Sequence, residues 1–318
     1  MEVVERLQEF DPTLDLPEHF FAIYYGLRRS GKTTMLRTML FEMQDILEQR
    51  EVHLFSTTAE VSPEDYKYIP KKGKHVQLEM LEQDLGEIIG SQKKKIKQFN
   101  EKEGPEPEPL LIILDDCVSE NSIRHCPSLN TLAVAGRHMF ISVVILSQVV
   151  TGSGSVPPIV RTQADAIFVV ANPRSKIERK LLVEQYLTPC KVSKEETTGD
   201  QILDKATSVQ FRALIILTTD SSARDYEEFL ILYGPVDDDK VPDDFKLGSP
   251  EQWEDEHEEK LPHRKKQKME KPKKLPNPFD NTPELHMNGN GDFIRGLSDN
   301  LFATGNRFRS STRGRRKR

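Results

Sequence analysis

The chain has 318 residues, a hydrophobic fraction of 36% and a formal net charge of −6, with a mean hydropathy of −0.57. This apolar fraction is low for a fully packed protein of that length, so part of the chain is predicted to remain unfolded. The three cysteines are widely spaced and include no CxxC pair, which argues against a disulfide framework and a zinc site. No apolar stretch is long enough to span a bilayer, and the N-terminal residues lack the apolar core of a signal peptide, so we expect a soluble intracellular protein.

The apolar segments all lie before residue 235. Beyond that point the chain is charged and rich in proline, a composition that buries too little apolar surface to offset the entropy of ordering. We therefore predict one domain over residues 1–235 and a disordered tail over residues 236–318. The tail is acidic at first, over residues 237–259, and then basic, over residues 263–274 and 307–318.

The strongest motif follows an apolar segment, residues 20–25, and has the pattern GxxxxGK[ST]. Its glycines let backbone N–H groups turn toward a phosphate, its lysine reaches the β- and γ-phosphate oxygens, and the next hydroxyl coordinates Mg²⁺. Apolar residues at helical spacing follow directly, so a helix N-terminus would point at the anion. The predicted ATP-binding residues are Gly26, Leu27, Arg28, Arg29, Ser30, Gly31, Lys32, Thr33 and Thr34.

Two further apolar segments end on polar groups that suit a nucleotide site. Residues 110–114 run into Asp115 and Asp116, as expected of a buried parallel strand whose carboxyl end carries a Mg²⁺-coordinating aspartate. Thr33 and Asp115 are therefore the predicted metal ligands. Residues 139–146 run into Ser147 and Gln148, and a glutamine there can hydrogen-bond the attacking water or the γ-phosphate.

Strand-like and helical segments alternate along the predicted domain, with further strands near residues 51–56, 166–170, 209–217 and 228–233. This alternation predicts an α/β fold, a three-layer P-loop NTPase sandwich around a mainly parallel central sheet. The strand that ends on a glutamine favours the additional-strand, RecA/FtsK-like class of P-loop ATPases, which includes motors and helicases, over nucleotide kinases.

The order of motifs between residues 20 and 168 resembles that of the genome-packaging ATPases of large double-stranded DNA viruses, the poxvirus-type branch of the FtsK–HerA superfamily. The resemblance depends on the phosphate loop, the Asp115–Asp116 pair, a Gly-Arg-His tripeptide at residues 136–138 and the terminal Gln148. Cellular members typically carry Asp-Glu where this chain has Asp-Asp. Two roles therefore stay open for Asp116, that of general base and that of a residue that only orients the water.

The resemblance implies an ATP-driven translocase that assembles as a homo-oligomeric ring and packages double-stranded DNA, without sequence preference, into a preformed capsid. It implies that Lys32, Asp116, Gln148 and Arg137 are catalytic. Arg137 would stabilise the transferring phosphoryl group in a neighbouring subunit, and Arg161 is the alternative residue for this role. The implied partner is a capsid or portal-vertex protein, and the implied location is a cytoplasmic virus factory, the nucleus or the virion.

Several alternatives remain open at this point. The basic clusters of the tail either bind DNA by neutralising phosphates or serve as a nuclear-localisation signal. The Gly/Ser-rich loop at residues 149–156 either carries the hydrolysis state outward or is an ordinary connector. For the whole protein, the alternatives are another nucleic-acid-stimulated P-loop ATPase, helicase-like or from a mobile element, and a non-hydrolysing DNA-tethering virion protein.

Overall fold

One sheet organises the chain in a computed structural model. The structure describes residues 3–117, 123, 126–152, 155–173, 175–187, 198–218 and 225–258. Among those residues, no helix combines the length and the apolar character that a membrane span requires. The strands are β1 Gln8–Glu9, β2 Phe21–Tyr25, β3 Glu51–Phe55, β4 Lys74–His75, β5 Leu110–Asp115, β6 Ile141–Ser147, β7 Ala166–Val169, β8 Ala213–Leu217 and β9 Leu230–Tyr233.

The strands lie in the order β1-β9-β8-β7-β2-β6-β5-β3-β4. Strands β7, β2, β6, β5, β3 and β4 are parallel to one another, and β1 is parallel to β9. Only β8 runs antiparallel to its two neighbours in the described sheet. This arrangement confirms the predicted α/β fold with a mainly parallel sheet. It also explains why the central strands read as continuous apolar segments, since every residue of β2, β5 and β6 is buried.

Helices cover both faces of the sheet and complete three layers. Alternate residues of β2 point to opposite faces, so Phe21, Ile23 and Tyr25 join one apolar cluster with the helices Leu81–Asn100 and Pro127–Ala135. Ala22 and Tyr24 join the other cluster with the helix Lys32–Glu42. The helices are α1 Pro12–Asp15, α2 Lys32–Glu42, α3 Gln44–Leu47, α4 Thr58–Val61, α5 Leu81–Asn100, α6 Pro127–Ala135, α7 Pro158–Arg161, α8 Lys176–Leu182, α9 Gly199–Ala206 and α10 Pro250–Glu258, and a π-helical turn, Val183–Leu187, follows α8.

The folded unit continues past residue 235, where the sequence predicted that the disordered tail begins. Residues 236–254, which we call the strap, pack on the same side of the sheet as α2. Val241, Phe245 and Leu247 are buried in the apolar cluster that contains α2. The predicted boundary was therefore placed too early, because a few apolar residues in a charged segment suffice when each meets an existing apolar surface. The remainder of the predicted tail, from residue 259 onward, lies outside the described residues.

The strap ends on a hydrogen-bonded contact with β3. The side-chain amide of Gln252, which is buried, accepts a hydrogen bond from Val52 N at 2.9 Å and donates one to Val52 O at 3.0 Å. Strand β4 has two residues and pairs only with Leu54 and Phe55 of β3. Gln252 takes the place of a strand at Val52 and satisfies both of its backbone groups. Nearby, Ser249 N donates to Arg50 O at 3.0 Å.

This packing predicts that a chain ended at residue 235 is much less stable than one ended at residue 261. Loss of a single buried Phe or Leu side chain costs about 2–5 kcal/mol, and the shorter chain loses several such residues together with the Gln252 contacts. We expect the free energy of unfolding, measured by denaturant titration, to fall by about 5 kcal/mol or more. Equal stability of the two truncated chains would show that the strap contributes nothing to the fold.

Candidate nucleotide-binding and hydrolysis site

The parallel alignment of β2, β6 and β5 places the predicted site residues at one edge of the sheet. In the β2–β6 pair Tyr25 lies opposite Ser147, and in the β5–β6 pair Asp115 lies opposite Leu146. The segments that leave these strands therefore emerge side by side. They carry the phosphate loop, Asp116 and Gln148, so the fold brings together three motifs that are far apart in the sequence.

The phosphate loop closes around the ammonium group of Lys32. Lys32 Nζ donates to Gly26 O at 2.7 Å and to Leu27 O at 3.1 Å. Gly31, with φ of 91°, is the N-cap of α2, so the helix begins at Lys32 with its unpaired N–H groups directed toward the loop. An ammonium has three donors, and these bonds use two of them, which leaves one for a phosphate oxygen.

The electrostatic setting of Lys32 suits an anionic ligand. Burial lowers the pKa of the ammonium, and the charges of Asp115 and Asp116 raise it by less. A phosphate placed in the loop would supply the missing negative charge and favour the protonated form. The flanking Arg28 and Arg29 are exposed, and Arg29 adopts a left-handed conformation with φ of 64°.

Asp115, Thr33 and Tyr66 form the part of the site that suits a metal ion. Asp115 Oδ2 accepts a hydrogen bond from Tyr66 Oη at 2.5 Å and one from Thr33 Oγ1 at 3.4 Å. Burial raises the pKa of the Asp115 carboxyl, while the Tyr66 hydrogen bond and the Lys32 charge oppose that shift. A hydroxyl and a carboxylate side by side are oxygen donors of the kind that Mg²⁺ prefers. The two predicted metal ligands therefore fit the ion.

Asp116 and Gln148 are in direct contact. Gln148 Nε2 donates to Asp116 Oδ1. Asp116 has φ of 55°, in the left-handed region that Asp tolerates better than most residues other than glycine. This turn directs its side chain away from the strand axis and toward Gln148. The structure thus pairs the predicted catalytic aspartate with the predicted sensor glutamine. The two side chains are close enough to hold one water molecule between them and a bound phosphate.

Arg137 lies away from these residues. It is exposed in the turn Gly136–Met139, just before β6, whereas Gln148 follows the end of that strand. A strand of this length spans about 23 Å, so Arg137 sits at the opposite edge of the sheet from its own phosphate loop. Any contact between Arg137 and a nucleotide would therefore involve the site of another subunit, and this role remains a prediction.

The placement of Arg161 contradicts the alternative that it reaches a neighbouring subunit. Its side chain is only 8% exposed, and Nη1 donates to Val150 O at 2.6 Å. Its charge lies beside the buried hydroxyls of Tyr25 and Tyr186. Arg161 instead anchors the start of the loop that follows Gln148, and Glu178 accepts from Val150 N at 3.1 Å in the same region. Ser153 and Gly154, in the middle of that predicted loop, lie outside the described residues.

Sequence reasoning missed two aromatic residues of the site. Tyr66 ends the turn Pro63–Tyr66, where the apolar residues follow no helix or strand pattern. The one indication in the sequence is an aromatic side chain among turn-forming residues. Phe211 lies against the phosphate loop, since a Cβ added to Gly31 would come within 2.5 Å of the Phe211 ring. Phe211 also has φ of 59°, which explains why β8 begins later than the predicted strand.

The family follows from the sequence. A sequence model described as poxvirus A32 protein matches residues 8–199, well over half of the chain. The chain belongs to that family. The matched region includes Lys32, Asp116, Arg137 and Gln148, and together with the fold it makes the protein a P-loop NTPase of the poxvirus A32 family. No curated protein sequence matches the chain.

Several solved structures are similar to this chain at low sequence identity. The genome packaging NTPase B204 from Sulfolobus turreted icosahedral virus 2, in complex with AMPPCP, is 13% identical with a TM-score of 0.48, over 70% of this chain and 100% of that one. The pCW3 conjugation coupling protein TcpA, with ATPγS, is 14% identical with a TM-score of 0.49, over 71% of this chain and 63% of that one. The cytoplasmic domain of the type VII secretion ATPase EccC from Thermomonospora curvata is 11% identical with a TM-score of 0.46, over 67% of this chain and 27% of that one. These similarities are distant, so the family assignment depends on the sequence match.

The geometry predicts separate defects for substitutions at Lys32 and Asp116. Lys32→Ala removes the charge inside the loop, so both nucleotide affinity and hydrolysis should be lost. Asp116→Asn keeps the loop intact, so nucleotide affinity should stay near the wild-type value while turnover falls on the order of 100-fold. Binding of a fluorescent ATP analogue and release of phosphate measure the two effects. The exposed residues Lys94 and Asp45 provide matched controls as Lys94→Ala and Asp45→Asn, and an equal loss of affinity in Asp116→Asn would exclude the assigned role.

Proposed function

We propose that the protein is an ATP-driven motor that packages viral double-stranded DNA into a preformed capsid, hydrolysing ATP to ADP and phosphate. The observation that carries the proposal is the contact between Gln148 and Asp116 beside the phosphate loop, in a chain of the poxvirus A32 family. A protein that only bound nucleotide would need the loop but neither of these two side chains.

The loop and helix α2 would hold the phosphates of ATP. Lys32 would donate its remaining hydrogen to a β- or γ-phosphate oxygen, and the N–H groups at the start of α2 would bind the neighbouring oxygens. The Thr33 hydroxyl and the Asp115 carboxylate would hold Mg²⁺. That ion neutralises charge on the phosphate oxygens during transfer. The other residues of the loop, from Leu27 to Thr34, would contact the phosphates through the backbone.

Asp116 and Gln148 would act on the attacking water. The hydrogen bond from Gln148 falls on Oδ1 of Asp116, so Oδ2 is the oxygen that would accept from the water. The water oxygen attacks the γ-phosphorus, the bond to the bridging oxygen of ADP breaks, and the water proton passes either to Asp116 or to the phosphate. Asp116 accepts the proton if it is the general base, and the phosphate accepts it if Asp116 only orients the water.

The loop after Gln148 offers a route from hydrolysis to movement. Gln148 is two residues from Val150, whose backbone N–H and C=O groups are held by Glu178 and Arg161 respectively. A change in the Gln148 contact on release of phosphate would therefore pull on a segment fixed to α7 and α8. This coupling, the ring and the grip on duplex DNA are parts of the proposal, as is docking of the ring on a capsid or portal-vertex protein.

The test is phosphate release by the full chain with duplex DNA, with single-stranded DNA and without DNA. We expect turnover without DNA and a several-fold increase with duplex DNA of any sequence. Lys32→Ala protein should give no turnover under any condition. Binding of ATP without turnover would identify a DNA-tethering protein instead, and separation of a labelled duplex into strands would identify a helicase.

The ring predicts that Arg137 acts between subunits. Arg137→Ala protein should be nearly inactive alone, yet a mixture with Lys32→Ala protein should regain activity, because some interfaces then combine an intact loop with an intact arginine. Arg137→Lys protein keeps the charge but loses the planar guanidinium, so it should recover only a small part of the activity. A mixture that assembles by light scattering but stays inactive would remove Arg137 from this role.

A further inference from the structure

Tyr66 reaches the site from a segment that neither contains nor adjoins a nucleotide-binding motif. The segment, residues 56–70, leaves the carboxyl end of β3, forms α4 and the turn Pro63–Tyr66, and returns to the sheet edge before β4. The Tyr66 side chain is 2% exposed, and its hydroxyl donates to Asp115 Oδ2 at 2.5 Å. Tyr66 and Asp115 are 49 residues apart in the sequence, so proximity along the chain does not explain this contact.

The contact fixes the orientation of the Asp115 carboxylate. Both hydrogen bonds to this group, from Tyr66 and from Thr33, fall on Oδ2, so they set the plane of the carboxylate without using Oδ1. The Tyr66 hydroxyl is the donor in its bond, because the carboxylate oxygen can only accept. Residues that orient a ligating carboxylate in this way commonly matter to metal affinity nearly as much as the ligands themselves.

The strap holds the segment that carries Tyr66. Leu247 N donates to Tyr68 O at 2.8 Å. The ring of Phe245 stacks on that of Tyr68, with centroids 5.6 Å apart and an interplanar angle of 18°. Lys67 forms an ion pair with Asp243 at 2.9 Å, although this pair is exposed and adds little.

The strap in turn is fixed at its far end. Gln252 bonds both backbone groups of Val52, and Trp253 Nε1 donates to Leu247 O at 3.0 Å. Phe245 also meets Phe41 of α2 edge to face, with centroids 5.4 Å apart. The segment around Tyr68 is therefore enclosed by the strap on one side and by the apolar cluster on the other.

We propose that Tyr66 is a positioning residue for the magnesium-binding aspartate and that the strap sets the position of Tyr66. This inference rests on the magnesium role of Asp115 in the proposed function, but not on DNA packaging. It assigns a function to a part of the chain that follows the last strand of the sheet.

The experiment is a magnesium titration of the binding of a fluorescent ATP analogue to the full chain. Tyr66→Phe keeps the ring and removes the hydroxyl. The half-saturating magnesium concentration should rise about tenfold, while affinity for the analogue without magnesium stays unchanged. Tyr233→Phe is the matched control. Tyr233 is also buried, belongs to the same apolar cluster and donates to a carboxylate, Glu42 Oε2 at 2.7 Å. It should lower stability without changing the magnesium dependence.

The outcomes separate this inference from the proposed function. If wild-type binding shows no magnesium dependence, the metal role of Asp115 fails and the inference fails with it. If wild-type binding depends on magnesium and Tyr66→Phe leaves that dependence unchanged, only the inference is overturned. A shift of equal size in Tyr233→Phe would also overturn it, since the effect would then follow from general loss of stability.

A second comparison tests the strap. Phe245→Ala should raise the half-saturating magnesium concentration, and the double variant with Tyr66→Phe should show no larger shift than Tyr66→Phe alone, because both changes act through the same hydrogen bond. Phe245→Leu, which keeps an apolar side chain in the cluster, provides the same comparison if the alanine variant does not fold. Two outcomes would show that the strap does not act through Tyr66. The first is a double variant whose shift in half-saturating magnesium concentration equals the product of the two single-variant shifts. The second is a strap variant with normal magnesium dependence.

Discussion

A single buried carboxylate governs how this site is built. Asp115 is 6% exposed at the end of a strand whose other residues are all apolar, and a charge removed from water is tolerated only when hydrogen bonds and opposite charge surround it. Lys32 and Thr33, at the start of α2, and Tyr66, in the segment after β3, supply that compensation. The phosphate loop, the segment after β3 and the aspartate strand are therefore tied to one another before any ligand binds.

The central sheet could be predicted from the sequence, and the strap could not. Strands buried on both faces are apolar along their whole length. Each of β2, β5, β6 and β7 can therefore be recognised from its own short stretch of sequence. The strap contributes one apolar residue at a time, and each is stabilised by a surface formed elsewhere in the chain. Average composition therefore describes residues 236–254 as unfolded, although Gln252 meets a strand that lies 200 residues earlier.

The site shows the same division. The phosphate loop, the Asp-Asp pair and Gln148 were predicted because phosphate binding constrains residue type and spacing within a few positions. Tyr66 acts across the fold, and nothing in its local sequence indicates which group its hydroxyl meets. The prediction for Arg161 was wrong for a different reason. An arginine is usually exposed, but this one is enclosed by Val150 and two tyrosines.

The two ends of the sheet constrain how copies of the chain can associate. Its outermost strands, β1 and β4, contain two residues each, and the backbone of β3 next to β4 is already occupied by the Gln252 side chain. Short or covered edges offer little backbone for another chain to pair with, and this protects the protein from strand-mediated aggregation. A continuous sheet across two copies of the chain is thereby disfavoured, and the proposed ring would have to form through helices, turns and their side chains.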